Sequence, residues 1–190
     1  MDLSPDKRER IIAAASQLIV RNGLQCSMSA IAEEAGVATG SLYNYFDSKE
    51  ALVRGVFGRV AEKMTERLTV PLDPGMSHTS QVRQYIERYI DFIWEDPTRA
   101  MLFDYLDNNP LMSVHEAAGI FDAFVRYAHT MLADAQAAGV VRPGAVSTLA
   151  SFTRGAIRNT LKRRRMRDMP LDEAERALLA DMCWDSLAAK

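Results

Sequence analysis

The stretch GVATGSLYNYFDSKEAL, Gly36 to Leu52, decides how this chain is read. It places two tyrosines, an asparagine and a phenylalanine between a Gly-Val corner and a lysine. A protein interior packs aromatics. This cluster mixes them with small hydroxyl residues, a composition that suits a surface touching a partner. Leu42 and Phe46 stand at i and i+4, so on a helix they point the same way. Thr39, Ser41, Tyr43, Asn44 and Tyr45 then cover the remaining faces.

Working outward, apolar residues recur at helical spacing almost everywhere and strand alternation is scarce. Residues from about 5 to 22 carry Ile11, Ile12, Ala15, Leu18 and Ile19 on one face, and Asn22-Gly23 ends that helix. Ser27 is a plausible N-cap for a short helix with Met28, Ile31, Ala32 and Ala35 on one side. Gly36 breaks it, and a second short helix runs from about Ala38 to Phe46. Asp47 or Ser48 then caps a long helix through Leu52, Val56, Phe57, Val60 and Met64.

Pro71–Ser77, PLDPGMS, is the clearest boundary. Beyond it the spacing predicts a helix from about His78 to Glu95 and another from Pro97, stopped by the NNP at 108–110. Ser113 and Glu116 have capping-box spacing and open a helix reaching Gly139. A further helix leads to the basic run Lys162–Arg167, and Pro170 opens the last one. The expectation is an all-α chain of about nine helices. A helix-turn-helix head occupies 1–48, a linking helix about 49–70, and a larger ligand-binding and dimerisation body 71–190.

Two short helices joined at a glycine corner are each too short to be stable alone. Ile11, Leu18, Ile31, Ala32, Leu42 and Phe46 can give them one shared core. That is helix-turn-helix architecture, in which the second helix enters the DNA major groove. The residues left outside suit the task. Asn44 can pair bidentately with adenine and Thr39 can touch a thymine methyl. Ser41, Tyr43 and Tyr45 can donate to phosphate oxygens. Gly40 permits close approach, and Lys49 adds a cation at a helix start.

From Met28 to Leu52, MSAIAEEAGVATGSLYNYFDSKEAL strongly resembles the TetR family of bacterial transcriptional regulators. The shared pattern is Ile-Ala, Ala-Gly-Val, a small-residue start, Leu-Tyr-x-Tyr-Phe and Ser-Lys-Glu-x-Leu, and the resemblance covers roughly residues 8–60. It implies that three helices bind DNA, a fourth links head to body, the last two form a dimer interface, and the body holds a small-molecule pocket. Carried over residue by residue, Ser29, Thr39, Gly40, Ser41, Tyr43, Asn44, Tyr45 and Lys49 form the DNA-facing set. Ala38 stands where the family often has Ser, and the recognition helix lacks Arg, Lys and Gln. Shape and phosphate contacts are then expected to supply much of the selectivity.

Phe103, Phe121, Phe124, Tyr127 and Phe152, with Met101 and Met131, are the candidates for lining the cavity. Asp104, Asp122, Arg126, Arg154 and Arg158 are ionisable side chains available to orient a polar ligand group. The last helix is apolar on two sides, one carrying Leu178, Leu179 and Met182 and the other Ala177, Trp184 and Ala188. Such a helix is buried twice.

Composition bounds the rest. Of 190 residues, 48% are hydrophobic and 25% charged, an ordinary globular balance. Neither a membrane span nor a signal peptide is evident, so a cytoplasmic protein is expected. The formal charge is −2, and residues 1–60 hold seven basic and seven acidic side chains. Any nucleic-acid argument must therefore rest on where charges sit. Cys26 and Cys183 are isolated, His115 and His129 are too far apart along one helix to share a metal, and catalytic motifs are absent. No enzyme, metal or cofactor is expected. The reading is a sequence-specific DNA-binding transcriptional regulator, a homodimeric repressor released from a palindromic operator by a small molecule. The alternative is a helical small-molecule-binding or scaffold protein with a non-functional DNA-binding head.

Overall fold

In the computed structural model, residues 6–70, 73, 75–106 and 113–190 are described. Pro71, Leu72 and Pro74 of the boundary stretch, and the NNP stop at 108–110, lie outside them. The described residues form ten α-helices. The first four are α1 (Lys7–Asn22), α2 (Met28–Glu34), α3 (Thr39–Tyr43) and α4 (Lys49–Leu68). Then come α5 (His78–Trp94), α6 (Pro97–Leu106), α7 (Val114–Ile120), α8 (Asp122–Ala137), α9 (Val146–Arg165) and α10 (Glu173–Leu187). Among them none is long and apolar enough to cross a membrane.

Local chemistry sets most of the boundaries. Ser27 accepts a hydrogen bond from the Ala30 amide at 3.1 Å, and Ser48 from Ala51 at 3.1 Å. Ser113 and Glu116 close a full capping box. Gly23 and Gly36 end their helices at φ +69° and +64°, left-handed backbone that glycine adopts without strain.

Two expectations change. The helix expected from Ser113 to Gly139 is broken at Phe121, whose backbone leaves the helical region at φ −97°, ψ 7°. The Phe121 ring is buried 5.9 Å from that of Phe103, and Asp122 starts a new helix. The last helix begins at Glu173, not at Pro170, because the Asp172 carboxylate caps it by accepting from the Glu175 amide at 2.9 Å. The first of these changes takes the total from nine to ten.

The chain packs as two compact units: Met1–Lys63 with Met101–Phe121, and Met64–Ala100 with Asp122–Lys190. In the first, Ile11, Leu18, Ile31, Ala32, Leu42 and Phe46 are all buried, as their spacing requires, together with Leu52, Val53 and Val56 of α4. The end of α6 reaches this unit, where a Cβ at Gly23 would meet the Tyr105 ring at 3.9 Å.

In the second unit, α5 lies against α8, α9 and α10. The last carbonyls of α5 have no helical partner of their own. Arg99 donates to the Phe92 carbonyl, lies 3.7 Å over the Phe92 ring and is itself buried. Arg165 donates to the Ile93 and Trp94 carbonyls at 2.5 and 2.7 Å and covers the Trp94 ring. Arg164 pairs with Glu175 at 2.9 Å and donates to the Pro170 carbonyl. Two members of the basic run are thus committed to structure. A bidentate Arg176–Asp91 pair at 2.6 Å joins α10 to α5, and its hydrogen bond raises the arginine pKa.

Of the glycines, Gly55 of α4 leaves the least room for a side chain. A Cβ there would sit 2.8 Å from Cε1 of Phe46 and 3.3 Å from Cζ. Gly55→Ala gains helix propensity, up to about 1 kcal/mol. Displacing a buried ring costs about 1–3 kcal/mol. The expected outcome is a net loss, read as a lower urea midpoint; a raised midpoint would show that the Phe46 ring moves aside freely.

Candidate nucleic-acid interface

The site is built on a buried underside. Leu42 is fully buried and Phe46 is 5% exposed, so α3 is anchored by the pair four residues apart. That anchoring turns Tyr43 and Tyr45 outward, 49% and 42% exposed. Asn44 between them is exposed, and so are Thr39 and Gly40 at the start of α3, while Ser41 is half-buried. A Cβ at Gly40 would meet nothing within 4 Å, so the start of the helix faces open space. Ser29 is exposed on α2, its hydroxyl 3.0 Å from that of Ser27.

The Gly36 corner fixes the angle between α2 and α3. The Gly36 amide donates to Glu33 at 3.0 Å and the Val37 amide to Ala32 at 2.9 Å, closing α2 with paired bonds. Ala38 then opens α3 with no side-chain cap.

The head's arginines are mostly engaged. Arg21 pairs with Glu34 at 3.6 Å, Arg54 with Glu116 at 3.5 Å, and Arg59 with Glu9 at 3.1 Å. Arg8 pairs with Glu9 at 3.8 Å and lies 5.4 Å over the Phe46 ring. Lys49, half-buried at the first position of α4, makes no ion pair among the described residues. It lies close enough to Cys26 to oppose the rise in that thiol's pKa that burial produces. The ammonium group therefore sits by the chain that leads into α2. All eight residues expected to face DNA are at least partly accessible, on or beside α2, α3 and the start of α4.

The aromatic candidates for a ligand cavity fall in both units. Phe103 and Phe121 pack together in the first unit, whereas Phe124 is buried in the second against Tyr85 and Tyr89. Tyr127 is half-buried and donates to the Val70 carbonyl at 3.2 Å. Phe152 is 61% exposed on α9. Of the ionisable candidates, Asp122 and Arg126 pair with each other at 2.9 Å on the surface. Asp104 is exposed, and Arg158 and Arg154 are half-buried. Tyr85 and Tyr89 were missed as partners of Phe124. Periodicity says which face of a helix is covered, not which ring faces which.

Residues 11–56, spanning α1 to the first half of α4, match the family model described as "Bacterial regulatory proteins, tetR family". Those residues carry the DNA-binding domain that the TetR-family model describes. An uncharacterised HTH-type transcriptional regulator of Haemophilus influenzae is 35% identical over 94 residues, 49% of this chain and 50% of that protein. The HTH-type transcriptional repressor KstR of Rhodococcus jostii is 29% identical over 130 residues, 66% of this chain and 60% of that protein. The matches thus span between half and three fifths of these relatives. A crystal structure from Shewanella sp. PV-4, titled as a TetR family transcription regulator, superposes with a TM-score of 0.87. It is 20% identical and covers 98% of this chain and all of that one, a likeness of fold.

The neighbourhood of Lys49 and Cys26 gives a direct test of the site's geometry. Lys49→Ala removes a nearby cation, so the Cys26 thiol pKa, already raised, rises further. Alkylation of Cys26 in the native protein near pH 8 is expected to slow. Cys183, whose thiol burial pushes up to about 11, is unchanged by the substitution. An unaltered Cys26 rate would place the ammonium group elsewhere.

Proposed function

We propose that this chain is a sequence-specific DNA-binding transcriptional regulator of the TetR family. It acts as a homodimeric repressor that a small molecule releases from its operator. The reading assigns DNA binding to residues 1–48, the link to about 49–70, and ligand binding and dimerisation to 71–190. One observation carries it. Leu42 and Phe46 bury one side of α3, and Tyr43, Asn44 and Tyr45 are left outside with no side-chain hydrogen bond among the described residues. A helical scaffold with a retired head has no reason to keep two large aromatic side chains in water beside a free asparagine.

In this reading Asn44 and Thr39 meet base edges. Ser29, Ser41, Tyr43, Tyr45 and Lys49 meet phosphates, and the open backbone at Gly40 lets the helix seat deeply. The head carries no free arginine on α3, so sequence is read sparsely and the deformability of the site contributes.

The face formed by α9 and α10 supports self-association. Leu178 and Met182, four residues apart on α10, are 54% and 61% exposed, while Leu179, Cys183 and Leu187 of the same helix are buried. Phe152 and Met166 add exposed apolar surface on α9. The side expected to carry Leu178, Leu179 and Met182 together is split: Leu179 turns inward with Cys183, and Leu178 and Met182 form an apolar stripe left uncovered among the described residues. A second copy covers that stripe in a two-fold four-helix arrangement. Two heads then meet successive major-groove faces about 34–36 Å apart, which makes the operator a palindrome.

Binding to the DNA upstream of the protein's own gene, measured by fluorescence anisotropy against random sequence, tests the reading. Equal affinity for both would leave only a non-specific binder, and no affinity for either would favour the scaffold alternative. Asn44→Ala is expected to cost about 1–3 kcal/mol on the cognate site and little on random DNA. Lys49→Ala should weaken both alike and reduce the salt slope by about one unit. For the dimer, Leu178→Asp with Met182→Asp is expected to yield a folded monomer in sedimentation at micromolar concentration. A wild-type monomer under those conditions would refute the four-helix interface.

A further inference from the structure

Within the second unit, α9 and α10 leave a small open cleft between them, about 80 Å³ in volume. Thr160 of α9, Leu178, Leu179 and Met182 of α10, and Leu171 just before α10 line it. Arg164 and Glu175 line it too, and they hold each other at 2.9 Å. The charged groups of the cleft are thus already paired, and most of the remaining wall is apolar.

Size decides what enters. Small-molecule sites occupy about 300–1,000 Å³, so a ligand of that class does not fit. The space suits a single apolar side chain inserted as a knob. The same two helices expose such side chains: Phe152 and Met166 on α9, and Leu178 and Met182 on the cleft itself. Phe152 precedes Thr160 by about 12 Å of helix, too far to fill the cleft of its own chain. A second copy removes that obstacle. Midway between the two positions stand Gly155 and Ala156, and a Cβ at Gly155 would meet nothing within 4 Å. Another α9 can approach closely there, because the distance between packed helices is set by the side chains at the contact. In a two-fold dimer the same contact is made twice. An axis passing near Ala156 carries Phe152 of each copy to Thr160 and the cleft of the other.

Charge selects this register over the alternative. Inserting Met166 would need an axis near Arg163, and the exposed Lys162, Arg163 and Arg167 of both copies would then meet. Like charges set face to face suppress an interface. With the axis near Ala156, the two Arg163 residues lie about 21 Å apart along the helices, beyond the screening length of about 8 Å. The Arg142 amide donates to the Leu187 carbonyl at 2.8 Å, which puts the end of α10 beside the start of α9. The basic end of each α9 therefore points toward the α10 terminus of the other copy. Asp185 is exposed there and makes no ion pair among the described residues. Phenylalanine also has fewer rotatable bonds than methionine to immobilise on insertion.

We propose that the cleft between α9 and α10 receives the Phe152 ring of a second copy of this chain, with the two-fold axis near Ala156. This rests on the homodimer reading and deepens it, naming the side chain that anchors the interface and the register of the two α9 helices.

The test is sedimentation equilibrium and disulfide trapping of the full chain. Phe152→Ala is expected to weaken the dimer by about tenfold or more. Its helical circular dichroism should be unchanged, because the ring is exposed in the single chain. Phe152→Leu, which keeps an apolar knob, should retain most of the association, and Met166→Ala should dimerise like wild type. Under mild oxidation, Phe152→Cys combined with Thr160→Cys should give a covalent dimer. Neither substitution alone should do so, since equivalent positions lie about 12 Å apart along the helices across the axis and a disulfide needs Cα atoms within about 7 Å. Cys26 and Cys183 are buried, and oxidised wild type is the control for them. The proposal is overturned if Phe152→Ala dimerises like wild type, if Met166→Ala weakens the dimer as much, if Phe152→Cys alone is trapped, or if the double variant is not. A wild-type monomer would refute the homodimer reading itself. A wild-type dimer that ignores Phe152→Ala would leave that reading standing and sink only this register.

Discussion

The contact between the Phe46 ring and the bare backbone of Gly55 fixes where the recognition surface lies. Phe46 closes the underside of α3, and α4 can come that close only because residue 55 has no side chain. Leu42 alone would hold a five-residue helix at a single point and leave it free to roll. With Phe46 fixed as well, the helix has two anchors, and Tyr43, Asn44 and Tyr45 have no direction left but outward. Arg8 of α1 lies over the same ring. One aromatic side chain therefore ties α1, α3 and α4 together, and a helix too short to persist alone acquires a defined face.

The second unit solves a different problem. Helix α5 packs against α8, α9 and α10, and its last carbonyls have no helical partners of their own. Arg99 and Arg165 converge on those carbonyls, each also covering an aromatic ring. Burial pulls both guanidinium pKa values down, and Asp96 partly offsets that for each. A cation at a helix C-terminus also complements the macrodipole. The basic run at 162–167 looks in the sequence like a solvated helix end or a second nucleic-acid patch. Arg164 and Arg165 instead face inward, while Lys162, Arg163 and Arg167 remain on the surface.

What the sequence revealed divides by range of interaction. Ser27, Ser48 and the Ser113–Glu116 box were legible because a cap involves residues three apart, and a local pattern is enough to state it. The Leu42–Phe46 pair was legible for the same reason. Gly55 was not, since nothing in its own neighbourhood says that a ring nine residues upstream lands on it. The aromatic residues of the body were recognisable as buried or functional, but periodicity says only which face is covered. It could not separate Phe103 and Phe121 from Phe124, nor tell that Phe152 belongs to the uncovered face of α9. The break at Phe121 escaped because its cause is a ring packing against Phe103, a tertiary contact that outweighs an otherwise continuous helical pattern.

Charge in the head follows from the same logic of commitment. Seven basic and seven acidic side chains give residues 1–60 no net attraction for a polyanion. Several arginines already have carboxylate partners on the surface, and such exposed pairs are worth little to stability. Their value lies in position: the paired arginines can exchange a carboxylate for a phosphate at small cost, but only where a phosphate arrives at the right place. Lys49 differs, being a cation without a partner beside the N-terminal turns of α2 and α4. A neutral head with few uncommitted cations among the described residues and a polar, aromatic α3 has little general attraction for a duplex. In the proposed reading, affinity for DNA comes from shape and from a few directed contacts, the balance a selective binder needs among competing DNA.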